Sequence, residues 1–573
     1  MTLLVVAWIG WLALDALRAR DALTAAAGEV TALRTQVLAG DRPGAEATLA
    51  DLQAHAATAH DRTHGPHWTL VGAVPGIGPT VGAVQTVSEV VGALTTQALP
   101  ALMDATALAD PAALAPVDGR IDLAPLTAAA PGVVAADAAV HDALTTLRGV
   151  DADAVVGPFA AQLGRLDAQL ADVAATTATA ARAVQLLPPM LGADGPRQYL
   201  LLVQNNAEPR ATGGIPGSVV LLRAADGRVE TVDQRPGGSL GNLAAPVLPL
   251  TAQEEALFGP DLSADMRDVT FTPDFPRSGE LARAIWQQEV GGTVDGVLSI
   301  DPGALAHVLG ATGPVALPGG RSLTADNAVA LLLNTVYLEL APAAQDAFFG
   351  VTSDAVFHAL VSGQGEPAAA VEALARSAGE GRLMVWSAHP QEQSLLSGTA
   401  VSGELVGVRG DSPVLGVYLN DGSAAKMGYY LRRDVTVTST GCTADGAQAL
   451  TASVTLTSTA PADAADLPPY LTGTLLPAGE LRTNVLVYAP SGGSVESVRV
   501  TGADPGVFAQ THDGLAVVGK TVQLKPGESV RIDLDVVTGP GQTGDAVVRT
   551  TPMATGDVRT GPTGCSSPGA TGR

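Results

Sequence analysis

The chain changes texture twice, and those two changes bound what it can fold into. Up to about residue 190 apolar residues recur at helical spacing in an Ala-rich background. From Arg197 continuous apolar runs alternate with amphipathic stretches, and beyond about Val401 only short alternating runs remain, punctuated by Gly, Pro and Asp. Side chains repeat every 3.6 residues around a helix and every second residue along a strand, so the three textures predict helices, an α/β domain and an antiparallel β-sandwich. At 573 residues the chain exceeds the size at which a single core keeps growing, and a multidomain α and β architecture follows.

Composition narrows the partners. Aromatic residues make up 3% of the chain, so the cores must be filled by Leu, Val and Ala. The formal net charge of -25 argues against nucleic acid, whose phosphates require a basic surface. Lysine is confined to Lys426, Lys520 and Lys525 in an otherwise Arg-based chain, which reads as codon bias. Two cysteines, Cys442 and Cys565, exclude a Cys-rich zinc site. They leave either one disulfide that pins the C-terminal tail or two unrelated thiols.

Residues 1–17 contain the apolar run LLVVAWIGWLALDAL, interrupted only by Asp15. The reading adopted is a transmembrane or signal-anchor helix with the bulk of the chain outside the cytoplasm, in single-pass attachment to the plasma membrane. The run is shorter than the roughly 20 residues a span requires. Arg18 and Arg20 follow it, which the positive-inside rule would place in the cytoplasm. Both conflicts are resolved if translation starts upstream of Met1; a cleaved signal peptide ending near Ala25 to Ala27 and a buried helix are the alternatives. Residues 18–190 then form a helical stalk and bundle. Leu23, Val30 and Val37, seven apart with Leu33 between them, suggest a short coiled-coil seam through which the stalk could self-associate. His55, His60, His64 and His67 follow; they read as a solvated helix end, and no metal site is assigned to them.

The segment 191–400 carries the α/β pattern. RQYLLLVQNN from Arg197 reads as a buried strand, SVVLLRAADGRVETV as strand, Asp-Gly turn and strand, SGELARAIWQQEV from Ser278 as a helix, VDGVLSID as a strand, and LTADNAVALLLNTVYLEL as a helix capped by Thr324. Residues 401–555 give the sandwich, and 556–573, rich in Gly, Thr, Ser and Pro, a flexible tail.

The stretches QNNAEPRATGGIPGS (Gln204 to Ser218), TFTPDFPRSGELARAIWQQ, VDGVLSIDPGALAHVLGATGPV, LTADNAV and NDGSAAKMGYYLRR together resemble the bacterial family catalogued as domain of unknown function 4012. A more distant similarity, carried by the strand, the polar Gly-containing loop with Arg and the IDxxxLxxxLGxxGxV pattern, is to LytR-CpsA-Psr proteins, which transfer glycans from polyprenyl-pyrophosphate carriers. That resemblance implies a LytR-CpsA-Psr-like α/β domain in which Arg210, Arg235 and the loop Thr212, Gly213 and Gly214 lie where pyrophosphate is gripped, whereas Asp295 and Asp301 belong to the structural strand. The sequence departs from the pattern at Ala341 to Leu360, which contains no Arg where that family carries an Arg cluster.

Other chemistry is poorly represented. There is no G-x-S-x-G elbow and no P-loop, and His307, His358 and His389 are isolated. Gly213 and Gly214 more naturally serve positive φ or close packing between strands. Asn205, Asn206, Glu208 and Arg210 are a different matter: so many polar side chains at the end of a buried strand either satisfy one another or meet a ligand at the sheet edge.

The leading expectation is therefore a cell-envelope binding or scaffolding module linked to cell-wall or surface polysaccharide, without a cofactor and without an assigned catalytic residue. The alternative is an enzyme that transfers or hydrolyses a lipid-linked glycan, with Arg210 and Arg235 as phosphate contacts and Asp274 or Asp233 as Mg²⁺ ligand or base. A purely structural role in assembly through the stalk is the third.

Overall fold

The computed structural model describes residues 2–38, 41–104, 115–317, 320–361, 364–502 and 506–565. The chain divides into two compact units, Met1–Ala115 with Ile121–Asp194, and Pro116–Arg120 with Gly195–Arg573.

The first unit is helical. Helices α1 (Thr2–Leu38) and α2 (Arg42–Thr63) form an antiparallel hairpin, and Asp41 starts α2 by accepting the Gly44 amide at 3.1 Å ahead of the first turn that holds Pro43. Ala19, Ala22, Ala26 and Leu33 pack toward Ala45, Leu52, Ala56 and Ala59. Of the seam expected at Leu23, Val30 and Val37 with Leu33 between them, Leu33 packs into this stripe and Val30 is exposed, because small Ala faces let two helices approach closely.

On the same helix Asp15 is 2% exposed and lies 3.1 Å from Arg62 and 3.2 Å from His67. The membrane span expected at residues 1–17 is accordingly unsupported. Those residues start a longer helix whose Asp15 is already enclosed by polar partners, and among the described residues no helix is long and apolar enough to cross a membrane. Helices α3 (Pro66–Gly72), α4 (Gly78–Ala93) and α5 (Leu99–Asp104) follow. They lead to a second antiparallel pair, α6 (Ala124–Arg148) and α7 (Gly157–Met190), tied by Asp137 to Thr177 and by Arg148 to Asp167. His55 sits 3.2 Å from Glu29 and His64 3.0 Å from Glu89, so these histidines are paired with carboxylates, and no group among the described residues could hold a metal.

The second unit holds the α/β layer and the sandwich. Strands β1 (Arg197–Arg210), β2 (Gly213–Ala225), β3 (Arg228–Pro236), β4 (Gly296–Ile300) and, later in the chain, β7 (Leu383–Ser387) build a sheet in the order β3-β2-β1-β4-β7. Only β1 and β4 are parallel; the other pairs run antiparallel, so the domain is a mixed sheet. The β2–β3 hairpin turns at Asp226 and Gly227, both with positive φ, as an Asp-Gly type I′ turn requires. Helix α8 (Ala252–Phe258) opens with a capping box between Thr251 and Glu254. Helix α9 (Phe275–Glu289) is capped by Asp274, and α10 (Pro302–Thr312) by Asp301. Leu281, Ile285 and Trp286 of α9 bury one face of the sheet against Leu200, Leu202 and Val219. The short hairpin of β5 (Val315–Leu317) and β6 (Arg321–Leu323) precedes a helical stretch from Ala328, which starts behind the Thr324–Asn327 side-chain exchange.

In the sandwich, β8 (Val408–Arg409) pairs with β9 (Ser412–Asp421), and β10 (Leu431–Cys442), β11 (Gln448–Ser458), β12 (Leu481–Tyr488), β13 (Ser494–Val500), β14 (Phe508–His512), β15 (Leu515–Leu524), β16 (Ser529–Val537), β17 (Val547–Thr550) and β18 (Thr555–Thr560) follow. The sheet orders are β13-β16-β11-β10-β18 and β14-β15-β12-β9-β17. Alternate residues such as Val435 and Val437, Val454 and Leu456, and Val485 and Val487 fill the space between the sheets.

Two expectations need correction. The sandwich is not wholly antiparallel, since β17 runs parallel to β9 and β18 parallel to β10. The flexible tail expected over 556–573 is a strand at Thr555–Thr560, and Cys565 is disulfide-bonded to Cys442; residues 566–573 lie outside the described ones. Hydrogen bonds tie the two parts together across the boundary expected at residue 400. Asn420 of β9 accepts the Ala211 amide at 2.8 Å, and Thr551 donates to the Ala211 carbonyl at 3.0 Å.

Candidate functional site

Strand β1 runs out of the sheet into a polar end, QNNAEPR, and the fold treats each of those side chains differently. Gln204 and Asn206 point inward. The Gln204 amide donates to Ser299 and accepts from the Gly214 amide, both at 2.8 Å, while Asn206 donates to Asp301 and to the Pro552 carbonyl, both at 3.0 Å. These bonds lock the end of β1 to β4 and to the sandwich. Gly213 (φ +139°) and Gly214 are where the chain turns back: a Cβ at Gly213 would stand 2.1 Å from Oε1 of Gln204, and one at Gly214 2.3 Å from the Asn205 backbone. Close packing, not ligand approach, demands these glycines. Thr212 is buried, with its hydroxyl 3.4 Å from the Thr270 carbonyl.

Asn205 and Glu208 face the other way, into a cleft of about 770 Å³. Asn205 donates to the Tyr337 hydroxyl, and Glu208 pairs with Lys426. The Lys426 ammonium sits 5.2 Å from the Tyr337 ring and 5.0 Å from that of Tyr470, so one cation is held by a carboxylate and two aromatic faces. Burial pushes the Glu208 carboxyl up, but Lys426, then Arg210, outweigh it and hold it below its usual range. For Lys426 burial pulls down, and Glu208 with the two tyrosines raises it above the ordinary value. Both groups are charged at neutral pH and balance each other. Around them stand Gln234, Arg267, Gln345, Phe349, Leu332 and Leu333. Gln345 is buried; its amide nitrogen donates to the Leu340 carbonyl at 2.8 Å, whereas its oxygen has no partner. Tyr470 is half exposed.

The remaining sequence candidates lie elsewhere. Arg210 is 6% exposed, ion-paired to Asp268 at 3.3 Å and stacked 4.3 Å over Phe271, and it lines neither this cleft nor the second cavity described below. Gln234 and Arg235 are adjacent on β3 and face opposite ways: Gln234 lines the cleft, and Arg235 pairs with Asp233 at 2.8 Å and lies 5.7 Å from the Trp286 ring. Asp274 is a cap, accepting the amides of Arg277 at 3.2 Å and Leu405 at 2.9 Å. Burial, opposed by those two amides, pushes its carboxyl up to about 6. Arg210, Arg235 and Asp274 thus do not assemble into the phosphate grip that the LytR-CpsA-Psr likeness implied. Two of the isolated histidines meet polar side chains: His389 is 2.9 Å from Asp295 beside Arg197, and His307 is 3.1 Å from Ser377, whereas His358 is exposed on a helix beside Phe357.

The sequence reading missed Tyr337, Gln345, Lys426 and Tyr470. A signal existed for Lys426, a rare lysine inside the stretch NDGSAAKMGYYLRR.

A second cavity, of about 510 Å³, opens where β9, β10, β17 and β18 meet the segment before β7. Its wall carries Arg382, Arg409, Arg433 and Arg549, together with Glu380 and Asp557.

Comparison with known proteins adds little beyond the central sheet: no curated protein and no solved structure matches the chain. The likeness to LytR-CpsA-Psr proteins rests on sequence pattern alone. What does match, over residues 194–337 and so from the start of β1 to the tyrosine that faces Lys426, is the family model described as "Protein of unknown function (DUF4012)".

Proposed function

We propose that this chain is an extracytoplasmic binding protein of the cell envelope that holds a saccharide in the cleft at the end of β1. The observation that carries the reading is the cleft's chemistry. The rings of Tyr337, Tyr470 and Phe349 line it together with the neutral amide side chains of Asn205, Gln234 and Gln345. The charge pair at its floor is already balanced. A preformed site of this volume with a few placed polar groups is typical for a small organic ligand, and a neutral, hydroxyl-rich one matches it: a sugar's C–H faces stack on aromatic rings while its hydroxyls reach amides. A charged ligand would have to compete with an ion pair that burial makes costly to break.

Placement outside the cytoplasm is supported by the Cys442–Cys565 disulfide, since such bridges persist in oxidising compartments. Attachment to the membrane through the start of α1 is part of the same proposal. It is supported by the exposure of Trp11, Leu14 and Leu17 on α1 and of Leu70, Val74 and Ile77 in the same unit, an apolar surface of the kind that sits at an interface.

The test is calorimetric titration of the full chain with oligosaccharides released from its own envelope, beside Tyr470→Ala and Gln345→Ala. Saturable binding weakened in both variants is expected. A folded wild-type chain that binds none of them at millimolar concentration ends the saccharide reading, and free thiols at Cys442 and Cys565 in intact cells end the extracytoplasmic one.

A further inference from the structure

We propose that the second cavity is a binding site for a phosphate monoester, held between the guanidinium groups of Arg409, Arg433 and Arg549. In a chain whose acids outnumber its bases 57 to 32, most arginines find a carboxylate. These three have none within ion-pair distance among the described residues. Arg433 on β10 is 6% exposed, and its Nε and Nη1 make no hydrogen bond; the Nε of Arg409 on β8 is likewise buried and unpartnered. Arg382, the fourth, is committed to Asp301 and Glu380, both at 2.7 Å, and to the Met553 carbonyl.

Buried N–H groups can be satisfied by water, but water leaves the charge uncompensated. Burial first, and then Arg382, pull Arg433 down to about 10 against the opposing pull of Asp434 and Asp557, and burial followed by Arg549 lowers Arg409 against Glu404 and Tyr418. Even so, both remain protonated at neutral pH, like charges facing one another across a partly dehydrated space. Such an arrangement is retained where an anion completes it.

The wall is net positive. Its four guanidiniums outnumber the carboxylates that meet them, Glu380, Asp557 and, behind Arg382, Asp301, and a phosphate monoester supplies negative charge to the remainder. Planar guanidinium forks suit phosphate oxygens. The cavity, about 510 Å³, exceeds what inorganic phosphate fills and leaves room for the esterified group. It lies apart from the saccharide cleft, and the two lining sets share no residue, so failure of one reading leaves the other standing.

Phenyl phosphate and inorganic phosphate, titrated into the full chain at constant ionic strength and followed by calorimetry and thermal unfolding, provide the test. Phenyl phosphate is expected to bind at one site and raise the melting temperature. Its affinity should fall about 10- to 100-fold in Arg549→Ala, the loss typical of one charge-assisted hydrogen-bonding partner, and vanish in Arg433→Met, while Tyr470→Ala leaves it unchanged. Absence of binding by the folded wild-type chain at millimolar ligand overturns the proposal, as does equal binding by wild type, Arg549→Ala and Arg433→Met. Succinate binding as tightly as phenyl phosphate overturns the assignment to phosphate. Should Arg433→Met fail to fold, Arg409→Ala and Arg549→Ala decide, and unchanged affinity in both refutes the site.

Discussion

The two cavities of the second unit are built by opposite rules. In the cleft at the end of β1 every charge has found its counter-charge inside the protein: Glu208 holds Lys426, and Arg267 holds Asp265. In the cavity between β8, β10 and β17 the guanidiniums face one another without that resolution. The first is complete as it folds and offers neutral groups to a ligand; the second is left electrically unfinished. The contrast teaches that a buried charge marks a ligand site only when its partner is missing. By that criterion Glu208 and Arg210, the residues that stand out in sequence, are met by counter-charges inside the protein, and Arg433, which does not stand out, is the one proposed to meet a ligand.

The largest expected effect breaks the cleft's internal balance. Lys426→Met leaves the Glu208 carboxylate buried and alone, and chemical denaturation should show a loss of about 3–5 kcal/mol, of which the double variant Glu208→Gln/Lys426→Met recovers most. The pair's linkage to pH has a definite sign. Because Glu208 stands below its unfolded value, its contribution is present above that value and is lost as pH falls through the folded one. A single variant no less stable than wild type would mean the cleft is not balanced by this pair.

Removal of the disulfide comes next. Cys442 and Cys565 close 123 residues of chain, and Cys442→Ser should cost about 2–5 kcal/mol. It should also separate the cavities. The bridge secures the end of the chain beyond β18, whose Asp557 forms part of the arginine wall, so phenyl phosphate affinity should drop while saccharide affinity holds. Loss of both would show that the two sites share one stability.

Arg433→Met carries the opposite sign. If Arg433 is a charge without a partner, then in the absence of ligand its replacement by an apolar chain of similar length should stabilise the protein, by about 1–3 kcal/mol in denaturant unfolding. The same change should abolish phosphate binding. Destabilisation would mean that Arg433 has a partner after all, and the contrast between the cavities would collapse.

How much of this was legible follows from sequence distance. The β2–β3 hairpin was readable because Asp226 and Gly227 dictate their own turn, and α9 was readable because Asp274 sits directly before an amphipathic run. These are local signals. The binding surfaces are not: Asn205 meets Tyr337 across 132 residues, Glu208 meets Lys426 across 218, and Ala211 meets Asn420 across 209. A sequence displays the charges but not the pairing, which is why Arg210 read as a free phosphate contact until Asp268 and Phe271 were seen around it. Asp15 is an intermediate case. Its place in an apolar run was visible, but only the approach of Arg62 and His67 turns that blemish into a buried residue of a packed helical hairpin.

The smallest effect concerns the wall behind the arginines. Asp274 acts on Tyr418, which lines that cavity, and an ionised carboxylate there would offset part of the positive surplus. Burial pushes its carboxyl up to about 6 against an unfolded value of 3.8, so between those values the folded protein binds more protons than the unfolded one. Folding stability attributable to Asp274 therefore decreases as pH rises from about 4 to about 6, the reverse of a salt-bridged carboxylate. Asp274→Asn keeps one acceptor for the Arg277 and Leu405 amides but cannot ionise. The stability of wild type relative to the variant, taken from urea midpoints across that range, should fall with rising pH and then level off above it. A difference that stays flat would mean that Asp274 is ionised throughout and held by its two backbone donors. The arginine wall would then be less positive than its lining suggests, and a monoanionic phosphodiester would fit it better than a monoester.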